Sequence, residues 1–167
     1  MTAAGLLDTS VWIAGEVGRP VTAEALPERS YVSVITVAEI EAGVLAAGDV
    51  ETRAARMATA TALAMVEALP VDEAVAREWA RMRVLLRDAG RLVNVNDLWI
   101  AATARANDLP VYTQDDELRR AGRGLRDPGG ARLTRRQQWP HLGQARGGST
   151  VVWAGRSSEE TRPTGQV

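Results

Sequence analysis

The chain has 167 residues, 46% of them hydrophobic, which is enough for one domain with a hydrophobic core. The absence of cysteine excludes disulfides, thiolate zinc sites and cysteine nucleophiles, and the single histidine, His141, disfavours a Ser-His-Asp triad or a multi-histidine metal site. The net charge is −1 but uneven, since residues 1–118 carry −8 and residues 119–167 carry +7.

Taken in chain order, the predicted elements are a strand at 6–7, a helix at 11–17, a strand at 31–35, helices at 36–47 and 51–68, a brief strand at 71–72, helices at 72–89 and 96–106, a strand at 111–113, a short helix at 115–121 and a last strand at 131–134. The helix at 72–89 has the clearest amphipathic pattern, and Gly90 is its expected stop. Alternating strands and helices predict an α/β fold with a short, mostly parallel sheet flanked by helices.

The chain is predicted to divide at residue 134. Residues 1–134 form the predicted folded domain, and residues 135–167 are a polar, Arg- and Gly-rich tail that we expect to be disordered or loosely docked. The first residues resemble no signal peptide, and no apolar run reaches the roughly 18 residues needed to span a bilayer, so a cytoplasmic protein is expected.

Four acidic patches lie at the edges of apolar segments: L-L-D8-T-S, T-V-A-E39-I-E, N-V-N-D97-L-W-I-A-A and V-Y-T-Q-D115-D-E-L. Asp8 and Asp115 follow predicted strands and would project from the same edge of a parallel sheet, where ligands collect. Glu39 and Asp97 stand near the starts of helices that can reach that edge. Each acid alone also fits an ordinary structural role, because Asp is a common helix N-cap and Glu is a common solvent-exposed helix residue.

The four acids together favour a metal site. Two unit charges about 4 Å apart repel by roughly 4 kcal/mol at an effective dielectric near 20, so four converging carboxylates require a cation. Carboxylate oxygens are the ligands that Mg²⁺ and Mn²⁺ prefer. With no histidine base nearby, metal-activated water is the expected nucleophile, and a phosphodiester in nucleic acid, most simply RNA, is the expected substrate.

The four motifs also resemble a known family. Residues 6–14, 31–44, 89–104 and 111–115, in that order and spacing, are similar to the motifs of PIN-domain proteins, specifically the VapC-type ribonuclease toxins of bacterial toxin–antitoxin pairs. The resemblance covers residues 5–134. It implies a PIN-like three-layer fold and a metal-dependent endoribonuclease that cleaves structured RNA such as a tRNA or rRNA loop. It further implies a homodimer and a cognate antitoxin that blocks the site.

The resemblance also implies roles for individual residues. It assigns Asp8, Glu39, Asp97 and Asp115 to catalysis and to a Mg²⁺ or Mn²⁺ site, with Thr9 and Thr113 as supporting hydroxyls. One departure concerns the last motif, in which Glu117 stands where a fifth acid often sits and Leu118 replaces an aromatic residue.

The arginines that follow the last acidic patch form a basic cluster, which is expected to guide the RNA backbone: Arg119, Arg120, Arg123 and Arg126. The same cluster also fits a solvated charge run or an antitoxin-binding surface.

Several alternatives remain open at the level of sequence. The same motifs would suit a housekeeping or DNA-directed PIN nuclease, or a catalytically silent PIN-fold binding module. A phospho-acceptor receiver domain is disfavoured because the chain contains no lysine. A haloacid-dehalogenase-type phosphatase is disfavoured because L-L-D8-T-S lacks a second Asp at the required spacing.

Overall fold

A computed structural model describes residues 4–16, 18–19, 21, 23–116 and 118. The strands are β1 (Ala4–Leu7), β2 (Arg29–Ser33), β3 (Glu67–Leu69) and β4 (Val111–Tyr112). The helices are α1 (Thr9–Trp12), α2 (Val34–Leu45), α3 (Val50–Leu63), α4 (Glu73–Asp88) and α5 (Val95–Ala106). No helix among these described residues is both long and apolar enough to cross a lipid bilayer.

The four strands form one parallel sheet in the order β3-β2-β1-β4. Leu6 of β1 lies beside Tyr31 of β2 on one side and Val111 of β4 on the other. Parallel neighbours need long crossover connections, and helices supply them here. The predicted α/β fold with a short parallel sheet between helices is therefore confirmed.

The sheet is the middle of three layers. Successive residues of a strand point to opposite faces, and Leu6 and Leu7 accordingly enter two different apolar clusters. Leu6 packs with buried residues of α4 and α5, whereas Leu7 packs with Ile40 of α2 and Leu63 of α3. Both faces of β1 are thus covered, which makes it the buried centre of the fold.

Short polar side chains cap the N-termini of most of these helices. Ser33, Asp49, Asp72 and Asn94 each accept a hydrogen bond from a backbone N–H in the first turn of α2, α3, α4 and α5 respectively. At the other end of α4, Gly90 adopts φ 64°, which confirms it as the predicted stop.

Some predicted boundaries were wrong. The predicted 11–17 helix is instead the single turn Thr9–Trp12, because Asp8 caps it directly after β1. The 51–68 helix ends at Leu63, since the helix-compatible segment Glu67–Leu69 pairs with β2 as an edge strand. No strand forms at 71–72, where Asp72 serves only as the cap of α4. The predicted strand at 131–134 and the tail at 135–167 lie outside the described residues.

Gly5 allows β1 to pack closely beneath the ring of Tyr112. A Cβ atom on Gly5 would contact Tyr112 Cε2, lie 2.8 Å from Cδ2 of the same ring and lie 3.2 Å from Pro27 Cγ. Tyr112 is buried and packs in the apolar cluster that contains Leu7 and Val32.

We therefore expect Gly5→Ala to lower the free energy of unfolding by about 1–3 kcal/mol, the usual range for overpacking a core. Chemical denaturation of the purified variant measures this change. Gly48→Ala is the matched control, because its Cβ would meet no atom within 4 Å. Equal stability of the two variants would contradict the close approach of Gly5 and Tyr112.

Candidate active site

Asp8 follows the last residue of β1, and its side chain is only 2% exposed. Its Oδ2 atom accepts hydrogen bonds from the hydroxyls of Ser10 (2.6 Å) and Thr113 (2.8 Å) and from the backbone N–H of Ser10 (3.4 Å). The other oxygen, Oδ1, is buried and has no hydrogen-bond partner among the described residues. Oδ2 thus accepts three hydrogen bonds, whereas Oδ1 accepts none from the described residues.

The electrostatic state of Asp8 follows from this environment. Burial raises the pKa of its carboxyl group above the usual value of 3.8, although the hydrogen bonds from Ser10 and Thr113 oppose the rise. These donors are all neutral, so they do not cancel the buried negative charge. A buried carboxylate with an unpartnered oxygen is costly unless it meets a cation. The Asp8 carboxylate is therefore suited to binding a cation.

The hydroxyls of Ser10 and Thr113 join the ends of β1 and β4. Their oxygens lie 3.1 Å apart. Ser10 Oγ accepts the backbone N–H of Gln114 at 2.9 Å, and Thr113 Oγ1 accepts that of Asp115 at 2.9 Å. Each hydroxyl therefore donates to Asp8 while it accepts from the chain that leads to Asp115, and this relay fixes where that chain leaves the sheet.

Asp115 lies immediately after this relay and is half-buried. Its Oδ1 atom accepts the backbone N–H of Leu118 at 3.2 Å, so the carboxylate also shapes the following turn. The rest of the last motif is only partly described, since Glu117 and the arginine cluster of Arg119, Arg120, Arg123 and Arg126 lie outside the described residues. Their predicted roles stay predictions.

Glu39 lies in α2 and is half-buried, with a donor at each carboxylate oxygen. The Thr9 hydroxyl donates to Oε2, and the side-chain amide of Asn96 donates to Oε1 at 2.8 Å. Thr9 is the neighbour of Asp8 in sequence, and Asn96 is the neighbour of Asp97. Glu39 is thereby tied to the segments that carry two of the other predicted acids.

Asp97 lies in the first turn of α5 and is half-buried. Asn94 starts this helix by accepting the backbone N–H of Asn96 at 2.8 Å, so the helix begins two residues before Asp97. This start brings Asp97 towards α2, because Asn96 contacts Glu39 from the same turn.

The four acids lie around one edge of the sheet, but their carboxylates do not meet at a single point. Within the described part of the chain, no group of three or more Asp, Glu or His side chains is close enough to hold a metal ion as it stands. Neighbouring carboxylates repel each other in the absence of a cation. Hydrogen bonds of neutral groups instead link Asp8 and Glu39 to the segments that contain Asp97 and Asp115.

Two contributors to this edge were not anticipated from sequence. Ser10 shares Asp8 Oδ2 with Thr113, and Asn96 holds Glu39. Ser10 stands two residues after Asp8 at the start of a helix. Serine side chains at such positions commonly form local hydrogen bonds, so the sequence contained a signal for this contact. Asn96 gave no local signal, because its partner lies 57 residues away.

Comparison with known proteins identifies the family. The sequence pattern of the PIN domain matches residues 5–124. The chain belongs to the PIN-domain family. This confirms the resemblance drawn from the four motifs and agrees with the parallel sheet flanked by helices.

Individual relatives within the family are of the VapC type. The chain is 52% identical over 116 residues to a Mycobacterium tuberculosis protein named Ribonuclease VapC5, which covers 70% of this chain and 86% of that protein. It is 40% identical over 112 residues to Ribonuclease VapC4 of the same organism, covering 67% and 86%.

Solved structures show the same relationship. The VapBC-5 toxin–antitoxin structure from Mycobacterium tuberculosis contains a chain that matches with a TM-score of 0.64 and 50% identity, covering 69% of this chain and 87% of that one. The FitAcB structure from Neisseria gonorrhoeae contains a chain that matches with a TM-score of 0.55 and 32% identity, covering 70% and 91%.

The buried charge of Asp8 leads to a test by pH. Because the folded-state pKa of Asp8 is raised, the ionised carboxylate destabilises the metal-free fold above the unfolded value of 3.8. We expect Asp8→Asn to increase the melting temperature of metal-free protein at pH 7 relative to wild type. This gain should disappear at low pH, where Asp8 is protonated in both states.

Asp49 provides a control of opposite sign. Hydrogen bonds from the backbone N–H and the hydroxyl of Thr52 lower the pKa of this exposed cap. Its ionised form therefore stabilises the fold above the unfolded pKa, and Asp49→Asn should lose stability at pH 7 and approach wild type as the pH falls. Melting curves from pH 3 to 8 that show the same pH trend for both variants would contradict the buried-charge argument.

Proposed function

We propose that the protein is a metal-dependent endoribonuclease that acts as the toxin of a toxin–antitoxin pair. The observation that carries this proposal is the buried Oδ1 atom of Asp8, which has no hydrogen-bond partner among the described residues and lies in a hydrogen-bonded network with the segments that contain Glu39, Asp97 and Asp115. The names of two similar proteins, Ribonuclease VapC5 and Ribonuclease VapC4, support the same activity.

In this proposal Asp8, Glu39, Asp97 and Asp115 hold Mg²⁺ or Mn²⁺, since all four offer the hard oxygen ligands that these ions prefer. When bound, such a cation activates water for attack on a phosphodiester and neutralises the charge that develops on the phosphate. The single histidine of the chain, His141, lies beyond the residues that match the family, so no imidazole from the matched region is available as a base.

The hydroxyl side chains contribute orientation. Ser10 and Thr113 saturate Asp8 Oδ2, so that only Oδ1 remains to face a ligand. Thr9 plays a similar role at Glu39 Oε2. These neutral donors stabilise carboxylate charge and do not compete with the cation. A Lys or Arg at the same place would compete with it.

The substrate in this proposal is structured RNA, a tRNA or rRNA loop, whose unstacked bases and exposed backbone an enzyme can reach. The cluster of Arg119, Arg120, Arg123 and Arg126 follows Asp115 closely in sequence and would contact the phosphates beside the scissile bond. Glu117 would add a further carboxylate to the same edge.

The proposed protein partners are a cognate antitoxin and a second copy of the chain. The similar solved structures from Mycobacterium tuberculosis and Neisseria gonorrhoeae are VapBC-5 and FitAcB, and VapBC-5 is a member of a family of toxin–antitoxin systems. An antitoxin segment that covers the carboxylate edge would exclude both RNA and metal, which accounts for inhibition in physical terms.

Substitution of a proposed ligand tests the activity. Asp8→Asn and Asp97→Asn each remove one ligand charge while nearly keeping side-chain volume. We expect each to reduce Mn²⁺-supported RNA cleavage by about 100-fold or more, beyond the 10–100-fold typical of groups that only support a ligand. Mapping of new 5′ ends in total cellular RNA, with and without a chelator, measures the loss.

Asp108→Asn is the matched control, because Asp108 is exposed beyond the end of α5 and its φ of 54° suits Asn. Wild-type cleavage by Asp97→Asn, or cleavage that persists in excess chelator, would show that the acids do not form a metal site. Cleavage of duplex DNA but not of RNA would indicate a DNA-directed nuclease. No metal-dependent cleavage at all would indicate a silent binding module.

The basic cluster has a separate test. Replacing Arg119, Arg120, Arg123 and Arg126 with Gln should weaken RNA binding and reduce the dependence of affinity on salt, by roughly 0.7 in log–log slope for each lost phosphate contact. The control replaces four exposed arginines of α4, namely Arg77, Arg81, Arg83 and Arg87. Fluorescence anisotropy across a salt series decides, and equal slopes in the two variants would reject an RNA role for the cluster.

A further inference from the structure

Asn96 holds the carboxylate of Glu39 from the opposite side to Thr9. Its amide nitrogen lies 2.8 Å from Oε1, while the Thr9 hydroxyl donates to Oε2. An ionised carboxylate only accepts hydrogen bonds, so the amide of Asn96 must present its nitrogen to Glu39. Glu39 is thus held by α1 through one oxygen and by α5 through the other, and its side chain has little freedom to rotate.

Asn96 is itself held in place. Its backbone N–H donates to the Asn94 side chain at 2.8 Å, which fixes the first turn of α5. The next residue in that turn is Asp97. A single residue therefore contacts Glu39 through its side chain and leads directly to Asp97 through its backbone, so it couples the positions of two acids that are far apart in sequence.

We propose that Asn96 is a positioning residue that sets the Glu39 carboxylate relative to Asp97 for binding a divalent cation. This inference rests on the proposed function. The chemistry of the side chain suits the role, because an amide donates to a carboxylate but carries no charge. A cationic donor at this place would compete with the metal ion, and an acid would repel Glu39.

The same contact would also be seen if Asn96 only joined α2 to α5. A structural role and a positioning role predict different effects when the Asn96 amide is removed. A structural link affects the stability of the fold, whereas a positioning contact affects the affinity for the cation through Glu39 and has no effect once Glu39 is removed. Loss of a partner that orients a metal ligand typically weakens metal affinity by about 10–100-fold.

The test uses the full chain and Mn²⁺ alone as the probe, with affinity measured by calorimetry and stability by melting of the metal-free protein. Asn96→Leu keeps the approximate shape but removes the donor, and Asn96→Ser is a second variant whose hydroxyl is too short to replace it. Asn107→Leu is the matched control, because Asn107 is the C-terminal cap of the same helix, where its side chain donates to the Thr103 carbonyl at the end opposite Asn96.

We expect both Asn96 variants to weaken Mn²⁺ binding by about tenfold or more, while Asn107→Leu binds Mn²⁺ as wild type does. We also expect Asn96→Leu to cause no further loss when Glu39 is already replaced by Ala, since the amide then has no carboxylate to orient.

Each other outcome overturns the inference in a distinct way. Weak binding by Glu39→Ala together with wild-type affinity in both Asn96 variants would reject the role of Asn96 and leave the proposed function intact. A melting temperature lowered in the Asn96 variants, with Mn²⁺ affinity unchanged, would show a structural link only. Wild-type Mn²⁺ binding by both Glu39→Ala and Asp8→Asn would reject the metal site itself, and the inference would fail with it.

Discussion

The hydrogen bonds to one oxygen of Asp8 are the interaction on which the site depends. The hydroxyls of Ser10 and Thr113 both donate to Oδ2, and each also accepts a backbone N–H from the chain that follows β4. This arrangement holds a buried negative charge, fixes its orientation and joins the end of the central strand β1 to the end of the edge strand β4. Among the described residues it also leaves Oδ1 without a hydrogen-bond partner, and this is the atom that the proposed cation would contact.

The rest of the fold serves to bring other acids to the same edge. β1 is buried on both faces, so its carboxyl end is a rigid place from which Asp8 and Thr9 project. The crossover helices then supply Glu39 from α2 and Asp97 from α5. The hydrogen bonds that the Asp8 and Glu39 carboxylates accept among the described residues all come from neutral groups.

Much of this architecture could be predicted from sequence, because strand ends and helix caps have local signals. The positions of Asp8 and Asp115 after short apolar strands predict that both lie at one edge of the sheet. β3 could not be predicted, since Glu67–Leu69 has a helix-compatible composition and becomes a strand only by pairing with β2. The contact between Asn96 and Glu39 spans 57 residues, and no local pattern encodes a pairing of that kind.

The parallel topology has a consequence for the order in which the protein is made. β2 follows β1 closely in sequence, but the other neighbour of β1, β4, is synthesised much later, and the Thr113 hydroxyl that holds Asp8 is 105 residues after Asp8 itself. A chain still growing on the ribosome therefore carries Asp8 without its anchor and Glu39 without Asn96. The hydrogen bonds that hold these two side chains are therefore completed only after most of the residues that match the family have been synthesised.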